Sequence, residues 1–382
     1  MSSSERLTGL LDVRRRRSRI LVADDSDLMR SLLQDQIRGY GDFLVVGEAA
    51  TGYQTIRLVH ELNPDIVTLD LQMPELGGLG ALDYIMSEAP RPVVIVSAHS
   101  RAMAEAGLDA MMHGALDFVA KPADASEAER ILFRTRLLEA LSSAAEARRL
   151  SRMDRRAQVK AAARQAARRI ADRRTAGRDG PPPAPRPARC AVAVAASTGG
   201  PRALEQVVAG LPGSLPAAVF IVQHMPPLFT AALARRLDGV GELPAREAAH
   251  DEVVLEGTVY VAPGGRHLDL ERVPEGVRVR LTDEPAVWGV RPAADVMFAA
   301  VARMFGPASV GAVLTGMGQD GAAGLRAIRE VGGATLVQDE GTSVIPSMPR
   351  LAAPYADAVL PLPEVAAGLA DRADLRARLR PG

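Results

Sequence analysis

Two groups of residues carry chemistry in this chain. The first is Asp24-Asp25, Asp70, Ser97 and Lys121, each of which follows a short apolar run. Carboxylates gathered at one place repel one another unless a cation sits between them. Oxygen-only ligands with open water positions suit Mg²⁺, so Asp24, Asp25 and Asp70 are the expected metal set. Asp70 is then a carboxylate nucleophile able to accept a phosphoryl group as an acyl phosphate. The metal and Lys121 would neutralise the oxygens of that group in transfer, and Ser97 would hydrogen-bond one of them. A lone aspartate after a strand is usually a helix N-cap. Four such features at four strand ends are much harder to obtain by accident.

The second group is Ser197, His224 and Asp320. Ser197 lies in Ala195-Ala196-Ser197-Thr198-Gly199-Gly200-Pro201, between a strand-like run and a helical one. Pro201 suits a first helical turn, and the glycines let backbone N–H groups face an anion at a helix N-terminus. His224 lies in Gln223-His224-Met225-Pro226, and Asp320 in Leu314-Thr315-Gly316-Met317-Gly318-Gln319-Asp320-Gly321. As a triad, His224 would take the Ser197 proton, and Asp320 would fix the imidazole tautomer and stabilise its cation. Backbone N–H groups near Thr198 and Met317 are the candidate oxyanion donors. Each part has a plainer alternative. The Ser197 turn also fits a phosphate- or nucleotide-binding loop, His224 a structural histidine and Asp320 a turn residue. His267 is a reserve candidate for the crevice, and His250 stands beside Asp251.

These residues need a frame that brings distant chain positions to one edge. Ile20–Ala23, Phe43–Val46, Ile66–Leu69, Val93–Val96 and Ala115–Val119 are apolar throughout and rich in β-branched residues. That pattern marks parallel strands buried on both faces. Helical segments such as 27–38 and 52–62 fall between them, so the spacing predicts a doubly wound α/β sheet. The rhythm resumes at Ala191. Strand-like runs are 191–196, 217–222, 258–262, 277–281, 309–314 and 334–337, and helical stretches are 201–209, 229–237, 293–304 and 321–330. A second, mostly parallel α/β domain follows. In such sheets the carboxyl ends of the strands form the site.

Composition separates the two. Residues 142–178 are rich in Ala and Arg, and 180–187 are mostly proline. We expect a first α/β domain over 18–135, which the resemblance below identifies with a receiver, a helical stem and semi-rigid linker over 136–189, and a second α/β domain carrying the Ser197 group over 190–382. The 382-residue chain carries 46 basic and 46 acidic residues, which gives no reason to expect nucleic acid as the partner. One cysteine excludes an internal disulfide and fits a reducing cytoplasm. Cys190 reads as a buried structural residue. No stretch approaches the ~20 apolar residues of a membrane span, and Met1–Arg17 lacks a signal peptide's apolar segment. The protein is expected in the cytoplasm, without membrane insertion.

The first group resembles the response-regulator receiver family, on Asp70-Leu71-Gln72-Met73-Pro74 and Lys121-Pro122, with Phe118 where that family places a switching aromatic. Glu75-Leu76-Gly77-Gly78 stands where an Asp-Gly pair is more common. Taken with the second group, nearly the whole chain resembles the chemotaxis protein-glutamate methylesterase family. The Ser197, His224 and Asp320 segments match. So do 261–268, Gln338-Asp339-Glu340-x-Thr342-Ser343 and Ser347-Met348-Pro349-Arg350. The resemblance implies a flavodoxin-like receiver joined to a methylesterase domain. It implies hydrolysis of glutamyl methyl esters on chemoreceptor cytoplasmic domains, with release of methanol, and deamidation of glutamines there. It further implies phosphorylation at Asp70 by a chemotaxis histidine kinase, which relieves a block of the active site by the receiver. Ser197, His224 and Asp320 carry over as its triad. The ester chemistry calls for no cofactor. A receiver-controlled nucleotide- or protein-binding module without catalysis is the competing possibility.

Overall fold

A computed structural model of the chain describes residues 17–98, 100–124, 126–151 and 186–378. The chain divides into two compact units. Of the expected stem and linker, the positions from 152 to 185 lie outside the described residues.

Over residues 18–151, strands β1 (Ser18–Ala23), β2 (Phe43–Ala49), β3 (Ile66–Leu69), β4 (Val93–Ser97) and β5 (Asp117–Ala120), all in the first unit, alternate with helices α1 (Asp27–Arg38), α2 (Gly52–Leu62), α3 (Gly77–Glu88) and α4 (Arg101–His113), and α5 (Glu127–Ser151) follows. The sheet is wholly parallel, in the order β2-β1-β3-β4-β5. Strands β3 and β4 are buried along their entire length, as continuous apolar runs require. Ser26 caps α1 by accepting the Met29 N–H, and Thr51 caps α2 by accepting that of Gln54. Helix α5 extends past the expected edge at residue 135. Its Leu137, Leu141, Ala144 and Ala145 pack into one core with Ile20, Val22 and Leu33.

The second unit is built on a seven-stranded sheet. Its strands are β6 (Ala191–Ala196), β7 (Ala218–Gln223), β8 (Ala245–Glu247), β9 (Val259–Val261), β12 (Ser309–Val313), β13 (Ala334–Gln338) and β14 (Ala358–Leu360). All are parallel, in the order β14-β13-β12-β6-β7-β9-β8. Helices α6 (Gly200–Gly210), α7 (Phe229–Val240), α8 (Ala294–Phe305), α9 (Ala322–Glu330), α10 (Ser347–Ala352) and α11 (Leu362–Arg378) cover it.

The run at 277–281 belongs to a different element. Strands β10 (His267–Val273) and β11 (Gly276–Thr282) form an antiparallel hairpin outside the main sheet. Its alternating Leu268, Leu270, Val277 and Val279 are buried against α8. Alternation of this kind marks a sheet with one wet face, and it distinguishes the hairpin from the all-apolar central strands. Short β8 and β14 sit at the two edges of the sheet, where three residues leave no period to read.

Candidate active site and phosphoacceptor site

In the first unit the four strand ends meet as expected. Lys121 Nζ lies 2.6 Å from Asp70 Oδ2 and 2.8 Å from Asp24 Oδ2. Ser97, the last residue of β4, donates its hydroxyl to Asp70 Oδ1 at 2.6 Å. The Gln72 N–H adds a bond to the same oxygen at 3.2 Å. Asp24 is fully buried and Asp25 exposed, so the cluster opens to solvent on one side. Burial pushes the Asp24 carboxyl above its ordinary value, and Lys121 offsets this only in part. Burial alone would pull Lys121 down. The hydrogen bonds and charges of Asp24 and Asp70 outweigh it and hold the ammonium above its usual range.

Carboxylate oxygens of Asp24, Asp25 and Asp70 all lie within 4.8 Å of one another. Hard oxygen donors from three strand-end carboxylates, one facing solvent, fit a small divalent cation that keeps several waters. Gly78 explains why the turn after Asp70 needs glycine. A Cβ there would stand 1.9 Å from the Asp70 carbonyl oxygen, against the backbone that presents the acid.

In the second unit, Ser197, His224 and Asp320 follow β6, β7 and β12, three neighbouring strands with β6 in the middle. Strand order reverses beside β6, which is where open α/β sheets bind ligands. The ladder continues one residue past the strands. Ala196 pairs with Gln223, the Ser197 N–H donates to Thr315 O at 3.0 Å, and the His224 N–H donates to Ala196 O at 3.2 Å. Gly199 turns the chain with φ 76°, and Pro201 opens α6. Gly316 lies against Ser197: a Cβ on it would come within 2.7 Å of the Ser197 Cβ. Thr198 is buried, and Met317 stands at the surface.

His224 and Asp320 are joined, with Nε2 at 2.8 Å from Oδ2. Asp320 also accepts the N–H of Ala294 at 2.6 Å and that of Asp295 at 2.9 Å. It therefore sits on the N-terminus of α8, where an anion is favoured. Burial alone would raise its carboxyl. The bond to His224, the imidazole charge and the two backbone N–H groups outweigh burial and hold it below the ordinary carboxylate range. With the Nε2 proton directed at Asp320, Nδ1 is the basic atom of the ring.

Gln223, Thr315 and Gln338 stand in the motif segments quoted above, where the sequence assigns them no role of their own. Gln223 donates Nε2 to Ser197 O at 2.9 Å. Thr315 donates its hydroxyl to Thr198 O at 3.0 Å, and Gln338 Oε1 accepts the Thr315 N–H at 2.8 Å. His267, the reserve candidate, is fully buried and does not serve the crevice. Its Nδ1 accepts the Ala293 N–H at 3.1 Å and its Nε2 faces Pro285 O at 3.1 Å, so both nitrogens are spent on backbone. His250 likewise accepts the Leu281 N–H. Cys190 is buried, which pushes its thiol up to about 12, an inert state for a nucleophile.

Two family models match. "CheB methylesterase" covers residues 192–369, and "Response regulator receiver domain" covers residues 20–132. The protein-glutamate methylesterase/protein-glutamine glutaminase of Pyrococcus abyssi is 39% identical over 361 residues, spanning 92% of this chain and 92% of that protein. The protein of the same name from Symbiobacterium thermophilum is 41% identical over 352 residues, spanning 91% and 95%. Among solved structures, the Thermotoga maritima CheB methylesterase catalytic domain is 38% identical, covers 48% of this chain and 97% of its own, and has a TM-score of 0.47. With relatives of this identity matched along nearly their full length, and with both family models matching, this chain belongs to the CheB methylesterase family.

Proposed function

We propose that the chain is a phosphorylation-regulated protein-glutamate methylesterase that also deamidates glutamine, with Ser197 as nucleophile, His224 as general base and Asp320 as its orienting acid. The observation that carries this is the 2.8 Å bond between His224 and Asp320 beside Ser197, on three adjacent strands. A nucleotide-binding loop would need no such charged pair.

In this mechanism His224 Nδ1 takes the Ser197 proton as Oγ adds to the ester carbonyl. The developing oxyanion is met by backbone N–H groups of the loops carrying Thr198 and Met317. The tetrahedral adduct expels methoxide, which leaves as methanol with the proton from His224. Water, deprotonated by the same nitrogen, then frees the glutamate carboxylate and Ser197. With a glutamine substrate the leaving group is ammonia. Asp320 stays ionised throughout and holds the imidazolium.

Asp70 is the phosphoacceptor, Ser97 and Lys121 bind the incoming phosphoryl oxygens, and Asp24, Asp25 and Asp70 hold Mg²⁺. The bound ion supplies neutralising charge during transfer. The substrates are methylated chemoreceptor cytoplasmic domains, the phosphodonor is a chemotaxis histidine kinase, and the protein acts in the cytoplasm. Among the described residues no helix is long and apolar enough to cross a membrane.

The test is methanol release from a methylated receptor cytoplasmic domain, with and without acetyl phosphate and Mg²⁺. Ser197→Ala is expected to abolish release in a folded protein. Asp70→Asn is expected to keep basal release and lose the response to phosphodonor. Full activity of the first variant would overturn the catalytic reading. A normal response of the second would overturn the regulatory one.

A further inference from the structure

Helices α8 and α9 begin side by side, and neither carries its own cap. The N-cap of α8 is Ala293 and that of α9 is Gly321, and neither side chain can accept a hydrogen bond from the first turn. Each helix is instead capped by the other's aspartate. Asp320, directly before α9, accepts the Ala294 and Asp295 N–H groups of α8. Asp295, in the first turn of α8, accepts the Gly321 N–H at 3.0 Å and the Gly324 N–H at 2.7 Å through Oδ1. The other oxygen of Asp295 accepts the indole N–H of Trp288 at 2.8 Å.

The exchange ties Asp320 down from both sides. Its carboxylate is fixed by α8, and the backbone that carries it is fixed through Gly321 by a residue of α8. A lone capping aspartate can rotate about two torsions. Here rotation of Asp320 would empty two N–H groups of α8, and movement of its backbone would empty two of α9. A buried donor left without an acceptor is costly, so the pair resists both motions. In the observed rotamer Asp320 satisfies both N–H groups of α8 and reaches His224.

We propose that Asp295 is a positioning residue for the esterase reaction: by capping α9 in trans it fixes Asp320, and through Asp320 the tautomer and orientation of His224. Trp288 completes the device by fixing the Asp295 rotamer, although its ring is 55% exposed. The inference rests on the triad proposed above. A purely structural role for Asp295 would lower stability and leave turnover per folded molecule unchanged. Positioning predicts a loss confined to kcat.

The experiment uses the full chain, with Asp295→Asn and Trp288→Phe compared with wild type and with Asp320→Asn. Methanol release from a methylated receptor domain gives kcat and KM across pH 5–9, and thermal melting gives stability. Asp295→Asn keeps one oxygen for the α9 N–H groups but turns an NH₂ donor toward the Trp288 N–H. It is expected to lower kcat roughly 10-fold or more with KM within twofold, and to displace the limb of the kcat profile set by His224. The emission of Trp288, the only tryptophan in the chain, is expected to shift. Trp288→Phe removes only the indole bond and is expected to lower kcat severalfold at wild-type stability, which tests the device even if Asp295→Asn folds poorly. Wild-type kcat and pH profile in both variants, with Asp320→Asn inactive, would overturn the inference and leave the triad standing. An active Asp320→Asn would overturn the triad itself.

Discussion

His224 Nε2 and Asp320 Oδ2 stand 2.8 Å apart, and that same oxygen closes the first turn of α8 by accepting the Ala294 N–H at 2.6 Å. One carboxylate oxygen thus serves the imidazole and the scaffold together. Asparagine at 320 cannot satisfy all three donors, because its NH₂ must face either the Asp295 N–H or the His224 and Ala294 donors, and it carries no charge to hold the imidazolium. We expect Asp320→Asn to lower kcat roughly 10⁴-fold, the loss seen when a triad acid is neutralised. Steady-state methanol release measures it.

The same carboxyl sets an acid limit. Its native value is held below the ordinary 3.8. A depressed native value stabilises the fold above the unfolded value, and that contribution is lost as pH falls through the native one. Melting temperature of the wild type is therefore expected to drop more steeply below about pH 4 than that of Asp320→Asn. Parallel curves for the two proteins would contradict this.

Lys121 pairs with two buried carboxylates at once. Lys121→Ala leaves Asp24 and Asp70 facing each other without a cation. Stripping one partner from a buried pair costs about 3–5 kcal/mol, and the first unit is expected to melt correspondingly earlier. Mg²⁺ should restore much of that loss by supplying the missing charge, while the response to acetyl phosphate stays absent. Melting with and without Mg²⁺ separates the two effects.

Gly78 approaches the Asp70 carbonyl so closely that a methyl group cannot be placed there. Gly78→Ala is expected to destabilise the first unit by about 1–3 kcal/mol and to slow phosphorylation from acetyl phosphate. Basal ester hydrolysis should survive in the folded fraction. Unchanged phosphorylation kinetics would show that the turn tolerates the displacement.

Gln223 is buried and donates to the Ser197 and His224 carbonyls. Gln223→Glu replaces the donor with an acceptor facing two acceptors. A loss of at least 10-fold in kcat and about 1–3 kcal/mol in stability is expected. Gln223→Met, similar in volume and uncharged, should retain more of both, as read by methanol release and thermal melting.

Much of this was legible in the sequence. Asp24, Asp70, Ser97 and Lys121 announce themselves because each ends an apolar run, and run ends in parallel sheets share one edge. Ser197 and His224 stand at run ends for the same reason, and Asp320 is picked out by the glycine-flanked turn that follows a run. Asp295 and His267 are not. Their partners are backbone N–H groups 26 positions away, and a backbone donor leaves no trace in residue identity. The extent of α5 is masked because its buried Ala144 and Ala145 fall inside the Ala- and Arg-rich stretch that begins at 142. The run at 277–281 is a strand as expected, but its partner β10 carries charged residues between Leu268, Leu270 and Val273 and does not stand out as an apolar run.

The ladder running one residue beyond β6, β7 and β12 has a consequence for how the second unit tolerates change. Alignment of Ser197 and His224 is set by sheet register and that of Asp320 by the caps it shares with α8, so the opposite edge of the sheet plays no part in it. The connections at 212–217, 306–308 and 331–333 lie on that opposite edge, before β7, β12 and β13. Chain breaks or insertions there should leave the reacting edge intact. Equal changes in the turns at 197–200 or 314–321 would destroy it. The unit is in this sense two-faced, with one rim free to drift in length and the other held by hydrogen-bond registry.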